Sequence, residues 1–360
     1  MTFSSFNRRR FLQAGAAGVA LAAMGRKASA AEAPPKQIRF FGNPADYGQP
    51  YTVGILGIAH TGDFLKKEFE KDDVELTFTY PAGSGPAINE AIANGQVDFA
   101  RYGGFPHITG KSRGLPTKIL ASVGIGHSYL VVRNGLDNVK TVADLKGLRA
   151  AIGRGTAPHL AFVRVLELHG LKESDVELFD LEGGDEIGAI ASGAVDIGWG
   201  GAGFLKLAED GNAKLVYTSK GQVSGANTFG GFSVTEDFAS QYPETTQRVV
   251  NAYLKAAAFA ADPANFGAVL SFYEKAGENR AALEKDFADV ALRDELTPVI
   301  DDYFLGQFQG GIDFAKANKL IRSDVDLKSW VDRSFLDKGI AALGLEKTWP
   351  NRKADGSVSA

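Results

Sequence analysis

Two short stretches place a hydroxyl, glycines and a proline where a helix should begin. Pro81-Ala82-Gly83-Ser84-Gly85-Pro86 follows the alternating run Val74 to Tyr80, and Gly153-Arg154-Gly155-Thr156-Ala157-Pro158-His159 follows the apolar run Leu148 to Ile152. Both runs read as strands, so Ser84 and Thr156 are candidate N-caps and Pro86 and Pro158 suit a first helical turn. A helix N-terminus offers free N–H groups and about half a positive charge. An oxyanion placed there gains roughly 0.3–1 kcal/mol, up to about 2 when partly buried. Gly85 and Gly155 would let backbone approach such a group closely. Arg101 adds a planar fork that suits a sulfonate, sulfate or carboxylate in bidentate fashion. Tyr102 and Trp199, each at the mouth of a strand, could supply ring faces. This chemistry is anion capture, not bond making.

The patterns that would support catalysis or metal binding are not found in the sequence. There is no cysteine, which removes disulfides, thiolate metal sites and a Cys nucleophile together. The five histidines (His60, His107, His127, His159, His169) include no pair at helical zinc-ligand spacing, so no metal centre is expected. No Gly-x-Ser-x-Gly elbow and no Gly-x-x-x-x-Gly-Lys-Ser/Thr loop occurs. Gly153-Arg154-Gly155 starts like a dinucleotide fingerprint, but Pro158 stands at its sixth position. No cofactor is expected.

The elements that must position these groups are announced by a repeat. Ala91-Ile92-Ala93-Asn94-Gly95-Gln96-Val97-Asp98-Phe99 and Ala189-Ile190-Ala191-Ser192-Gly193-Ala194-Val195-Asp196-Ile197 share Ala-Ile-Ala-x-Gly-x-Val-Asp at an offset of 98 residues. Each copy reads as a short helix ended by a left-handed glycine, then a buried strand delivering a glycine corner at its carboxyl end. The corners are Arg101-Tyr102-Gly103-Gly104 and Trp199-Gly200-Gly201-Ala202. Upstream, Gly85 and Gly183 sit at the same offset. Two such units predict two lobes facing one cleft.

The Gly-rich link Gly124 to Ser128 joins strand to strand and predicts the first hinge crossing; Ser224 to Gly231, with Asn227, predicts the return. Lobe 1 is then residues 36–127 and 225–346, lobe 2 is residues 128–224, and residues 350–360 form a polar, frayed tail.

At 360 residues the chain can bury two cores, and 44% hydrophobic with 23% charged residues excludes a disordered class. Residues 1–30 read as an export address: Arg8-Arg9-Arg10-Phe11-Leu12 fits the twin-arginine pattern, an apolar run from Ala14 to Gly25 is too short to span a membrane, and Ala28-Ser29-Ala30 offers a cleavage site. A periplasmic protein is predicted. Removing this leader takes away five cations and no acid, leaving a net charge of about −9, which argues against nucleic acid as a partner.

At these residues the chain resembles the periplasmic substrate-binding proteins of ABC importers, in the nitrate/taurine/aliphatic-sulfonate branch. The likeness is carried by Pro81 to Ala87 with Asn89-Glu90-Ala91, by Asn94 to Phe99, by Thr141-Val142-Ala143-Asp144-Leu145-Lys146-Gly147-Leu148-Arg149, by Gly153 to His159 and by Ser192 to Asp196. It covers about Ile38 to Phe232, while the helical C-terminal third matches in general character. The resemblance implies an α/β, type II periplasmic binding protein fold: two Rossmann-like lobes, a hinge and a central ligand cleft. It also implies a small-molecule anionic ligand and a membrane permease as partner; a monomer is expected. Ser84, Gly85 and Thr156 stand where the family's anion-contacting loops lie. The full set expected at the ligand is Ser84, Gly85, Arg101, Tyr102, Gly103, Gly155, Thr156, His159, Trp199, Gly200 and Asn227.

Two departures bear on the ligand. Where relatives often have Thr-Gly-Asp this chain has Tyr102-Gly103-Gly104, and where they often have Trp-Asp/Glu-Pro-aromatic it has Trp199-Gly200-Gly201-Ala202. Loss of both acids weighs against a zwitterion such as taurine and favours a bulkier sulfonate or sulfate ester, aliphatic or aromatic. Nitrate, or a pyrimidine or flavin stacked on Tyr102 or Trp199, remains an alternative on the same fold. An exported enzyme is a third reading, since twin-arginine export often serves folded cofactor proteins.

Overall fold

The computed structural model describes residues 32–45 and 48–359; the leader expected over residues 1–30 lies outside them. Pro35–Ala360 forms one compact unit built on two five-stranded sheets. The first is ordered β2-β1-β3-β10-β4, from β1 (Gln37–Gly42), β2 (Glu75–Thr79), β3 (Phe99–Gly103), β4 (Thr117–Gly126) and β10 (Thr228–Thr235). The second is ordered β7-β6-β8-β5-β9, from β5 (Tyr129–Arg133), β6 (Arg149–Ala151), β7 (Glu177–Phe179), β8 (Ile197–Gly200) and β9 (Ala213–Thr218).

The sheets repeat one plan. Three parallel strands are followed by one antiparallel strand, β10 or β5, that has just crossed from the other sheet. The chain therefore crosses twice, at His127-Ser128 and over residues 219–227.

Helices fill the connections. In the first half these include α1 (Gly54–Thr61), α2 (Ser84–Ala93) and α3 (Gly104–Ser112), and around the second sheet α4 (Ala157–Leu168), α5 (Gly184–Ser192) and α6 (Ala202–Glu209). After β10 the chain is helical and returns to the first sheet, with α7 (Pro243–Ala261), α8 (Arg280–Asp286) and α9 (Asp302–Ala317) among its helices. The first core runs through that sheet. Phe40, Phe99 and Phe232 stack at centroid spacings of 5.5 and 5.7 Å, and Tyr253 of α7 closes the column at 4.3 Å.

The repeat earns its similarity through its aspartates. Asp98 accepts from the backbone N–H and the guanidinium of Arg39, whose other arm reaches the carbonyl of Gly95, the glycine that follows α2. Asp196 does the same with Arg149, which also reaches the carbonyls of Gly193 and Ala194, and adds Arg133. Each copy thus bolts a helix end to the strand that pairs in parallel with its own, β1 for β3 and β6 for β8, fixing where the repeat's strand points. The Arg149 hydrogen bonds above all hold the Asp196 carboxyl well below the usual carboxylate range. Its contribution is complete above the unfolded value near 3.8 and fades as pH falls below that. Asp196→Asn should cost about 2 kcal/mol in urea unfolding at neutral pH; an unchanged midpoint would remove Asp196 from this role.

The C-terminal tail departs from the expectation of fraying. Trp349 is buried, Arg352 bridges Val358, and the Arg352 N–H donates to Asp301 at 2.8 Å. Gly356 lies so close to Val223 that an added Cβ would fall 2.7 Å from its carbonyl oxygen. Polar composition hides this because the segment is held by backbone hydrogen bonds and one buried arginine, not by an apolar stripe.

Candidate ligand cleft

A cavity of about 640 Å³ opens between the two sheets, within the usual range for small-molecule sites. Five helix starts line it: Val53 before α1, Ser84 of α2, Thr156 and Pro158 of α4, Gly183 and Gly184 of α5, and Gly201 to Gly203 of α6. The carboxyl end of β1, Asn43 to Ala45, completes the first wall, and Gly277-Glu278, just before α8, closes a side. Helix N-termini are gathered at one place because every βα connection leaves its sheet at the strands' carboxyl ends, the general ligand position of α/β sheets.

Arg101 stands behind the first wall. An added Cβ on Gly54, the neighbour of lining Val53, would come 2.9 Å from Arg101 Nη2, and Gly54 also has φ of +77°, so only glycine fits there. Tyr80, Tyr253 and Tyr273 surround the guanidinium closely enough for its charge to oppose the burial that raises their phenol pKa values. No carboxylate pairs with Arg101 among the described residues, and its buried Nε has no hydrogen-bond partner. The buried Asn43 Oδ1 is likewise unpaired.

The predicted residues divide into two groups. Ser84, Thr156, Trp199 and Gly200 line the cavity, with Arg101 one layer behind them. Ser84 is not the N-cap; it is the first residue of α2, at φ of +47°, after Gly83 at +82°. A left-handed serine costs of order 1 kcal/mol, and it brings the start of α2 to the cavity. Thr156 does cap α4, but its hydroxyl is not free to donate, since it donates to Gly153 O at 2.6 Å and accepts from the His159 N–H. Trp199 is 1% exposed and gives its indole N–H to Pro158 O, so it offers the cavity no more than an edge. Gly200 is small because Phe204 lies against it.

The rest do not line the cavity. Tyr102 follows Arg101 on β3 and so points to the opposite face, where it is buried against His107 at 3.4 Å and donates to Asn89. Gly85 leaves room for Pro106, and Gly103 for Ala157, where α4 touches β3. Gly155 donates to His159 Nδ1, so these two brace the loop of α4. Asn227 ties the two crossings together, accepting from Ser224 N–H at 2.7 Å and donating to Gly126 O at 3.4 Å.

The corners after the repeat lack acids, yet Glu182, Glu186 and Glu278 all line the cavity. Glu182 has a signal in the sequence, because the repeat offset aligns it with Ser84. Glu278 has none, since nothing local ties the C-terminal helices to the cleft.

A cleft between two sheets joined by two crossings, ringed by helix starts and backed by an arginine that pairs with no carboxylate among the described residues, defines a two-lobed α/β solute-binding protein of type II topology. Residues 57–265 match the NMT1/THI5-like family, and the chain belongs to it. It is 24% identical over 303 residues to the Bacillus subtilis (strain 168) protein named for binding aliphatic sulfonates, covering 81% of this chain and 87% of that one. It is 31% identical over 185 residues to the taurine-binding periplasmic protein of Escherichia coli (strain K12), covering 50% and 55%. The periplasmic sulfonate-binding protein SsuA of Methylobacillus flagellatus KT superposes with a TM-score of 0.75 at 26% identity, over 89% of this chain and 98% of that structure.

Proposed function

We propose that this chain is the solute-binding component of an ABC importer, capturing a small organic sulfonate or sulfate ester in the periplasm and passing it to a membrane permease. The observation that carries the reading is Arg101: a half-buried arginine whose enclosed Nε has no partner and which pairs with no carboxylate among the described residues, beside five helix starts that favour an anion. The relatives' names point to the same ligand class. Lobe boundaries follow the two crossings, residues 36–127 with 225–346 and residues 128–224. Export by the twin-arginine route and a monomeric state belong to the same proposal. A stacked flavin or pyrimidine gains nothing from the geometry, because Tyr102 and Trp199 are both committed to the core.

The ligand would favour the closed state through contacts to both lobes at once. Thermal-shift screening of the chain lacking residues 1–30 against alkane- and arylsulfonates, sulfate esters, taurine and nitrate tests this. A cognate sulfonate at about 100 times its Kd should stabilise by roughly 2.7 kcal/mol. A screen in which only non-anionic compounds stabilise would sink the anion reading.

A further inference from the structure

The two repeat copies differ at one position inside α2 and α5 where a difference matters. Ile88 of α2 is fully buried, and the residue 98 positions later is Glu186. Lobe 2 therefore sets a carboxyl in what its twin uses as an apolar slot, and that slot borders the cavity.

Glu186 Oε1 accepts the Gly153 N–H at 3.2 Å, the one hydrogen bond this side chain makes among the described residues. Its second oxygen has no partner among them. Glu182 converges on the same glycine, where an added Cβ would fall 2.9 Å from its Oε1. The other charged groups around this corner are Glu278, which lines the same cavity, Asp185 preceding Glu186 in α5, and Arg154, whose guanidinium faces Glu173 at 3.8 Å and whose N–H donates to Asp180. Burial first, then the Glu182 charge, pushes the Glu186 carboxyl up to about 8, against the pull of the Gly153 N–H.

A sulfonate, sulfate ester or nitrate brings acceptors only, so an ionised carboxylate on this wall could only repel it. A neutral one has an O–H to give. We propose that Glu186 is a specificity-determining residue that meets the bound anion as a neutral acid, donating its free O–H to a ligand oxygen while Gly153 holds its other oxygen. The proposal rests on the anion reading. It selects ligands whose far oxygen accepts a hydrogen bond at the α5 wall, and it couples capture to pH.

Isothermal titration of the wild type, E186Q and E186L with butanesulfonate and benzenesulfonate between pH 6.5 and 9 tests it. Wild-type affinity should hold to about pH 7.5 and then fall, approaching tenfold per pH unit above about 8. Binding at pH 8.5 should take up protons, seen as a dependence of the heat on buffer ionisation enthalpy. E186Q, which keeps a donor that does not titrate, should show Kd values at pH 7 and 8.5 that agree within about twofold. E186L should bind at least tenfold more weakly than E186Q at pH 7. A flat wild-type profile, or the same alkaline loss in E186Q, would overturn the proposal while leaving the anion reading standing. Affinity that rises with pH would overturn it too, because Glu186 would then act as an anion. Failure of the wild type to bind either sulfonate, or any other anion of the screen, at any pH would overturn the anion reading and this proposal with it.

Discussion

Replacing Arg101 by methionine should weaken sulfonate binding by at least 30-fold, up to several thousand-fold, while leaving the unliganded protein as stable as before or more so. The two halves of that result have one cause. Arg101 has no carboxylate partner among the described residues, and its buried Nε is unpaired, so those residues give its charge no ion pair before a ligand binds. Taking an ion out of water without a counter-ion is unfavourable, and methionine fills the same space without that cost. When the anion arrives the balance reverses. Truncating one member of an enclosed, hydrogen-bonded charge pair costs about 2–5 kcal/mol, which is the fold-change given above. Urea unfolding with and without a saturating sulfonate measures both. If R101M is clearly less stable without ligand, Arg101 is holding the fold together, through the Tyr80, Tyr253 and Tyr273 hydroxyls for example. If it binds as well as the wild type, the anion sits elsewhere in the cavity.

That Arg101 stands near the cleft is legible from sequence, because it lies toward the carboxyl end of a strand that runs into a glycine corner, where α/β sheets gather their ligand loops. Tyr102 misleads, although the sequence also contains the reason to set it aside. Adjacent residues on a strand face opposite ways, so Arg101 and Tyr102 could not both address one cleft. The same alternation predicts that when Arg101 faces α1, Tyr102 goes under α2, as the Asn89 hydrogen bond shows. The repeat is recognisable as scaffold from its spacing alone. Its aspartates supply the mechanism, with Arg39 and Arg149 as partners that lie too far off in sequence to be paired by spacing.

Residues 51–70 carry helix-compatible spacing that is interrupted at Thr61-Gly62-Asp63, and the chain does stop at Thr61 and restart at Phe64. What stays hidden depends on long-range packing. Asn227 looks like a ligand contact because it sits among glycines between two strands. Its amide is instead spent on the backbone of both crossings, a role that appears only when residues 126 and 224 are brought together. Glu278 and the folded tail are hidden for the same reason. Helices after β10 carry periodic apolar faces, and periodicity says that a helix is packed without saying against what.

The first crossing supplies the second large expected effect. His127→Gln should cost about 3–5 kcal/mol at pH 7 and should also remove most of the wild type's loss of stability on going to pH 10. His127 lies at the point where the chain leaves the first sheet, its side chain only 5% exposed. Nε2 meets Asp286 Oδ1 at 2.8 Å, Nδ1 meets Glu295, and Tyr129 donates to the same Asp286 oxygen at 2.8 Å. Burial alone would push the imidazole down, but its hydrogen bonds to Asp286 and Glu295 outweigh that and raise it to about 9. Around the cluster, Lys220 donates to the Lys285 carbonyl and Lys285 pairs with Glu209 of α6 at 2.7 Å.

A group raised in the folded state contributes fully below its unfolded value, near 6.5 here, and the contribution is lost as pH rises through about 9. Between pH 7 and 10 the wild type should lose on the order of 3 kcal/mol in urea. Glutamine fills the space but carries no charge, so Asp286 and Glu295 lose the cation between them, the situation in which breaking an enclosed pair costs most. A wild type equally stable at pH 7 and 10 would show the imidazole to be neutral throughout. The outcome bears on function because α8 has Gly277-Glu278 on the cavity just before it and Asp286 on the hinge at its other end. His127 thus ties the first crossing to the segment that borders the cavity, so H127Q should also weaken sulfonate binding in calorimetric titration even though the cleft residues are untouched.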